Sequence, residues 1–305
     1  MENKEKINLV NIKTITVNNN EINSLSVFPS GNLISISNDK SIKLYNNNFT
    51  IIQIIRKAHK NSIQCLSIKD DNNFITSSND NDINIWIKKK NKFILNYSIQ
   101  KAHKDFIYQI IYCKNNNIIS YSKDLTFKIW EKINNIEYQN LTILKNIEKT
   151  HSILLLDDTN ILITLGINGT KIYNYNNLNL IKFIPEIKSK EKNAIGLINE
   201  DKIIFGGEVD NIIKIISLNE KKIIKEIDNN FQCYGICVLR NKGFFLICGY
   251  SRDIKIYRND NFNCVSNLQC AHNAYINGFN ILNDGSILSY SFDKLLKFGN
   301  YNKKK

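Results

Sequence analysis

Apolar and polar positions alternate in a short rhythm between Lys101 and Leu144. Phe106–Tyr112 and Ile118–Tyr121 are β-rich runs split by the polar segment CKNNN, and Thr126–Trp130 alternates after a turn at Lys123-Asp124-Leu125. A fourth apolar run spans Tyr138–Leu144. The pattern predicts four antiparallel strands of ordinary length. Such a sheet is apolar on both faces and cannot bury them alone, so it must stack against others of its kind.

The same layout returns along the chain. His103 is followed by Asp124 after 21 positions and by Trp130 after 27; His59, Asp80 and Trp86 keep these spacings, and His272 and Asp293 are again 21 apart. A hydroxyl stands four residues before each aspartate: Thr76, Ser120, Ser289 and, before Asp39, Ser35. Histidine, hydroxyl, aspartate and tryptophan predict one side-chain hydrogen-bond chain, in which loss of a member strands buried partners at about 1–3 kcal/mol each. The composition looks catalytic, but its repetition marks a structural set. The third strands end at 45, 86, 130, 173, 216, 257 and 299, so seven units of similar length fill the 305 residues.

The stretches AHKNSIQCL…SSNDNDINIW, AHKDFIYQI…SYSKDLTFKIW and AHNAYINGF…SYSFDKLLKF resemble the WD-repeat β-propellers over nearly the full chain. Ala-His replaces the family's commoner Gly-His, and only Trp86 and Trp130 occupy the namesake position. The resemblance implies an all-β, seven-bladed propeller of four-stranded antiparallel blades at about 21–56, 59–99, 103–144, 147–184, 192–227, 231–268 and 272–299. Residues 1–17 hold a strand and the last unit runs out after its third, so the first strand is expected to supply the outer strand of blade 7, leaving 300–305 as a basic tail. Blades four to six lack parts of the polar set: a Gly166-Ile167-Asn168-Gly169 turn replaces the aspartate turn, Gly206 stands at the hydroxyl position, and Ser251 stands at the aspartate position. These blades are expected to hold by apolar packing and backbone ladders alone.

Charge and cysteine content alter this picture little. A formal net charge of +13 admits a polyanion partner, RNA or an anionic membrane. Four arginines, Arg56, Arg240, Arg252 and Arg258, are nevertheless few for base-specific readout, which leans on the guanidinium fork. Seven cysteines show no disulfide-like spacing. Cys233, Cys237, Cys248, Cys264 and Cys270 gather in or beside blade six, where they read as small buried hydrophobes rather than a metal site. No Gly-rich phosphate loop, nucleophile elbow or HExxH pair is present, so neither an enzyme nor a cofactor is expected. Without a signal-like or membrane-length apolar run, the expectation is a single intracellular domain, cytoplasmic or nuclear, monomeric within a larger complex.

In WD-repeat proteins the usual contact surface carries the loop before the first strand and the turn between strands two and three. The resemblance places there the third and fifth residues after the loop histidine and the residue before the turn aspartate. These are Phe106, Tyr108 and Lys123, then Tyr275, Asn277 and Phe292, with Lys149, His151, Lys192, Cys233, Gly235 and Tyr250 at the same offsets in weaker blades. Aromatic rings on a loop face suit a protein or peptide partner with apolar anchors and acidic neighbours. The expected function is therefore a non-catalytic scaffold or adaptor.

Overall fold

The computed structural model describes residues 7–16, 21–134, 137–144, 150–156, 161–166, 168–185, 194–206, 211–220, 222–269, 271–282, 284 and 286–303, with 7–16, 150–152, 165, 241 and 298–303 as backbone alone. Among them, seven four-stranded antiparallel sheets account for every strand, and the one helical element is a three-residue 3-10 turn, Arg240–Lys242. Taken in chain order, sheets 1 to 6 each use four consecutive strands. Sheet 7 takes Ile276–Ile281, Ile287–Ser291 and Leu295–Lys303 and adds the N-terminal strand Ile7–Thr16 at its outer edge.

Sheets 1, 2, 3, 6 and 7 share a local device, which sheet 5, opening on Ile195 opposite Phe205 without a slip, lacks. The first strand opens on a buried residue paired with a small one, Ile22 with Ser37, Ile63 with Ser78, Ile107 with Ser122, Cys233 with Gly249 and Ile276 with Ser291, and the register slips immediately after. A second slip falls between strands three and four, at Tyr45, Trp86, Trp130, Ile216 and Tyr257. Bulges at both ends of the sheet increase its twist. The second strands, such as Leu33–Ser37, Ile118–Ser122 and Phe244–Gly249, are buried throughout, whereas fourth strands are half exposed.

Contacts divide the chain into two compact units, one of Asn19–Thr164 and Lys171–Phe183, the other of Met1–Asn18, Leu165–Thr170 and Ile184–Lys305. In the first, neighbouring sheets share apolar layers. Phe28, Phe74, Trp86 and Phe93 fill one, with Phe74 stacked on Trp86 at 5.9 Å. Ile85, Ile110, Tyr112, Trp130 and Tyr138 fill the next, where the Tyr112 and Tyr138 hydroxyls bond at 2.9 Å. Two glutamines stitch sheets together by imitating a peptide group. The Gln53 amide donates to Phe93 O at 2.7 Å and accepts from Phe93 N at 2.8 Å, and Gln109 makes the same pair with Ile153 at 3.0 Å each way.

In the second unit, Ile204, Ile213, Cys233, Phe245 and Tyr257 form one layer, with Phe245 and Tyr257 stacked at 5.1 Å, and Leu246, Cys248, Ile276 and Ile287 form another. Fully burying one such side chain contributes about 1.5–3 kcal/mol. The N-terminal strand runs antiparallel to Leu295–Lys303, from Ile7 opposite Lys303 to Thr16 opposite Leu295. The last strand thus extends through Asn300–Lys303, residues that composition alone assigns to a tail, because the N-terminal strand offers backbone partners along that whole length.

Deleting residues 1–16 should leave Leu295–Lys303 as a bare sheet edge. Hydrogen exchange should then show lost protection in Leu295–Lys303 and its neighbour Ile287–Ser291, with protection of Asn73–Ser78 retained; uniform loss over all sheets would contradict this local role.

Candidate partner-binding face

The turn between the second and third strands is fixed by a directional chain of polar groups. In sheet 2 the His59 Nδ1–H donates to the Asp80 carboxylate at 3.0 Å, the Thr76 hydroxyl donates to His59 Nε2 at 2.9 Å, and Trp86 Nε1–H donates to Thr76 Oγ1 at 2.9 Å. Sheet 3 repeats it with His103 to Asp124 at 3.1 Å, Ser120 to His103 at 2.7 Å and Trp130 to Ser120 at 2.8 Å. Sheet 7 keeps His272 with Asp293 at 2.9 Å and Ser289 with His272 at 2.8 Å. Indole can only donate and carboxylate only accept, and for His103, whose charged form burial disfavours, a ring with its proton on Nδ1 satisfies both ends, donating to Asp124 and accepting from Ser120. In sheet 1, which lacks the histidine, the Ser35 hydroxyl meets Tyr45 OH at 3.3 Å.

A further residue completes the turn, a serine 19 positions after each histidine that the sequence-based set of histidine, hydroxyl, aspartate and tryptophan does not include. Ser78, Ser122 and Ser291, two positions before each aspartate, accept from the aspartate N–H at 3.0–3.1 Å and donate to a loop carbonyl, Asn61, Asp105 and Tyr275 respectively. Ser37 likewise accepts from Asp39 N at 3.2 Å. The signal was available as the recurring S-x-D. One more cross-link spans 26 residues: Asn84, Lys128 and Lys255 on the third strands donate to the carbonyls of Ala58, Ala102 and Asn229. With Ser217 donating to Asp201 at 2.9 Å in sheet 5, this corrects the expectation that sheets 4 to 6 hold by apolar packing and ladders alone.

Burial dominates the electrostatics of this network. It pushes His103 down to about 4, against the opposing pull of Asp124. Burial also works against ionisation of Asp80, Asp124 and Asp293, but the hydrogen bonds they accept outweigh it and hold all three carboxyls below their usual range. Burial pushes the Cys233 and Cys237 thiols up to about 12 and raises Cys248 well above its ordinary value, so they are protonated apolar fillers. Cys264 is exposed, and Cys270 lies outside the described residues. Among the described residues no three His, Cys, Asp or Glu side chains could hold a metal ion, and no helix is long and apolar enough to cross a membrane.

The anchored turns present pairs of loop residues. Backbone bonds from Lys123 N to Phe106 O at 2.8 Å and from Phe292 N to Tyr275 O at 3.0 Å set each turn residue beside its loop residue. Exposed Phe106 and Lys123 therefore meet, with the ammonium 5.2 Å from the ring centroid. Tyr108 is half-buried and packs against Tyr121 at 6.0 Å, belonging more to the apolar layer than to the surface. In the second unit Tyr250, Tyr275 and Phe292, 51%, 38% and 37% exposed, form one cluster: Tyr250 stacks on Tyr275 at 4.1 Å, and Phe292 meets Tyr275 edge-on at 6.3 Å. Asn277 is half-buried on Ile276–Ile281. Tyr250 also borders a hollow of about 620 Å³ lined by Asn211, Asn230, Phe231, Gln232 and Ser251. Lys149 and Lys192 lie outside the described residues; His151 is on Thr150–Leu156, its side chain not described.

Two registers differ from the spacing-based reading. Tyr250 N bonds Gln232 O at 2.9 Å and Cys233 is fully buried in the position of Ile63, so Gln232 and Tyr234, not Cys233 and Gly235, take the loop-face positions of sheet 6. The hairpin between its first two strands is one residue longer, with Cys233 and Gly249 paired 16 apart where Ile63 and Ser78 are 15 apart. The space filled by Ser78 in sheet 2 is taken here by a carbonyl, since a Cβ on Gly249 would lie 1.8 Å from Gln232 O. In sheet 5, Phe205 pairs with Lys214 as Thr76 pairs with Asn84, placing Phe205 rather than Gly206 at the hydroxyl position.

The family model described as "WD domain, G-beta repeat" matches residues 10–46 and 50–86. No curated protein matches the sequence. Among solved structures, the chain is similar to that described as "Crystal structure of WD40 beta propeller domain of Doa1", with 15% identity, 98% of each chain covered and a TM-score of 0.79. At that identity the likeness shows the fold alone, and the seven sheets are the blades of a β-propeller.

Two outcomes test this construction. A buried histidine whose folded value is about 4, against 6.5 ordinarily, binds fewer protons folded than unfolded; its stabilising contribution is present above pH 6.5 and is lost, by about 3 kcal/mol, as pH falls to 4. Urea midpoints of His103→Asn should fall less steeply than wild type between pH 6.5 and 4, and parallel curves would refute the assignment. Replacing Gly249 by serine, the residue of the other turns, should cost about 3 kcal/mol by thermal denaturation, whereas a neutral effect would mean that the Gln232 loop relaxes freely.

Proposed function

We propose that this WD-repeat β-propeller is a non-catalytic protein-interaction module, a scaffold or adaptor that takes a peptide or protein loop on its loop face. The observation that carries the reading is the contiguous, solvent-facing cluster of Tyr250, Tyr275 and Phe292 on turns held rigid from below. Large rings exposed together on fixed loops are anchors of the kind that dominate protein interfaces, because they bury much area at little entropic cost. Arg252 and Lys294, both exposed beside the cluster, favour a ligand with carboxylates flanking its apolar side chain. Phe106 with Lys123 on sheet 3 supplies a separate contact of the same chemistry. Three of the histidines and their aspartates, the groups most suited to acid–base chemistry, are committed to the turns, in keeping with a binding role. The lysine excess supports polyanion binding as a second reading.

Affinity capture from the source cell should compare wild type with Tyr250→Ala/Tyr275→Ala/Phe292→Ala, after both show equal melting temperatures. A discrete set of proteins depleted at least tenfold by the variant is expected. Undiminished capture would overturn the choice of face, and recovery only of nuclease-sensitive, salt-sensitive material would favour the polyanion reading.

A further inference from the structure

The fourth strands of sheets 1 and 2 break the usual rule for exposed edges. Edge strands of soluble proteins are ordinarily blunted by charge, proline or a covering element. Ile51–Ile55 is the outermost strand of sheet 1, has the sequence IIQII, and leaves Ile51, Ile52 and Ile54 at 45%, 54% and 39% exposure. The fourth strand of sheet 5, KIIKEID, carries charge along the corresponding edge, whereas those of sheets 3 and 4 also expose Leu141, Ile143, Leu180, Ile181 and Phe183; sheet 1 combines such exposure with wholly cationic surroundings of its edge.

The Gln53 clamp on Phe93 joins this edge to the outer hairpin of sheet 2, where Ile94 and Leu95 are also exposed. The two hairpins form one surface with a one-sided charge. Residues 42–57 contain Lys43, Arg56 and Lys57, residues 83–101 contain Lys88, Lys89, Lys90, Lys92 and Lys101, and neither stretch contains an aspartate or glutamate. Arg56, Lys57, Lys89, Lys90 and Lys92 are exposed and in no ion pair among the described residues.

We infer that the outer edge of sheet 1 is a strand-addition site for an extended segment of another protein in which apolar residues alternate with carboxylates. Backbone pairing with Ile51–Ile55 would supply the affinity common to all sequences, Ile52 and Ile54 would select apolar side chains, and the cationic rim would select the acidic ones between them. An anionic bilayer matches the same charge and apolarity, but a free strand edge has peptide groups that hydrocarbon cannot satisfy, whereas a pairing strand satisfies them. This surface is separate from the aromatic cluster and stands or falls independently of it.

The probe is a fluorescein-labelled octapeptide of alternating valine and glutamate, titrated against the full chain by anisotropy at two salt concentrations. Saturable binding is expected, weakened at least tenfold by Ile52→Thr/Ile54→Thr and by Lys89→Glu/Lys92→Glu, and abolished when alternate peptide nitrogens of the probe are methylated. Tyr250→Ala/Tyr275→Ala should leave it unchanged, which separates this site from the loop face. Equal binding of the methylated probe would show attraction by charge alone and overturn strand addition, as would full affinity in Ile52→Thr/Ile54→Thr. Binding to phosphatidylserine vesicles that the same isoleucine changes abolish, with no binding of the peptide, would replace the proposal by a lipid surface.

Discussion

The architecture depends on hydrogen bonds that run one way. Trp86 or Trp130 can only donate and Asp80 or Asp124 only accept, so the hydroxyl and imidazole between them are bracketed by a fixed donor at one end and a fixed acceptor at the other. That arrangement ties the third strand, the second strand, the loop before the first strand and the turn to one another. A buried network that is fully satisfied fixes a unique geometry, and the penalty for an unpaired member makes alternatives costly. Sheet 6 shows the other solution. It lacks the histidine and the turn aspartate, and a glycine with no room for a side chain, the Tyr250 N–Gln232 O bond and the Ser251 hydroxyl accepting from Asp253 N hold the same turn.

The turns position the aromatic cluster by the same means. Phe292 follows Ser291, which is bonded both to Asp293 N and to Tyr275 O, so the two exposed rings inherit their spacing from a buried hydroxyl. Tyr250 reaches the same cluster from a sheet without that serine, through the Tyr250 N to Gln232 O bond. Rigidity beneath an apolar surface matters for recognition, because rings already ordered in the free protein lose little entropy on binding.

Much of this was legible in spacing. The seven-unit count and the partners of His59, His103 and His272 follow from fixed offsets within one repeat, and the use of the first strand at the edge of the last sheet follows from a surplus strand at one end of the chain and a missing one at the other. What spacing misreads is register. Counting back 21 from Ser251 assumes a hairpin of constant length, and one extra residue between the first two strands exchanges Cys233 for Gln232 and a buried thiol for a surface amide. The longer turn of sheet 5 shifts Gly206 and Phe205 in the same way. Contacts between repeats are illegible for a different reason. Gln53 and Gln109 bond to backbone about forty residues away, and Tyr108 is withdrawn from the surface by its neighbour Tyr121, so nothing in their own sequence announces either role.

The family repeat is itself displaced from the physical unit. Residues 10–46 take part of the outer strand of sheet 7 with three strands of sheet 1, and 50–86 take the outer strand of sheet 1 with three of sheet 2. A repeat so defined covalently couples each outer strand to the next sheet while its hydrogen bonds belong to the previous one. Outer strands consequently answer to two neighbours on one side and to solvent on the other, and they contribute least to the layers between sheets. The second strands, buried over most of their length, tolerate few side chains; the fourth strands send single residues such as Phe93 and Tyr138 into the layers and leave alternate positions exposed. In IIQII, Gln53 and Ile55 serve the layer shared with sheet 2, whereas the exposed Ile51, Ile52 and Ile54 are not demanded by it.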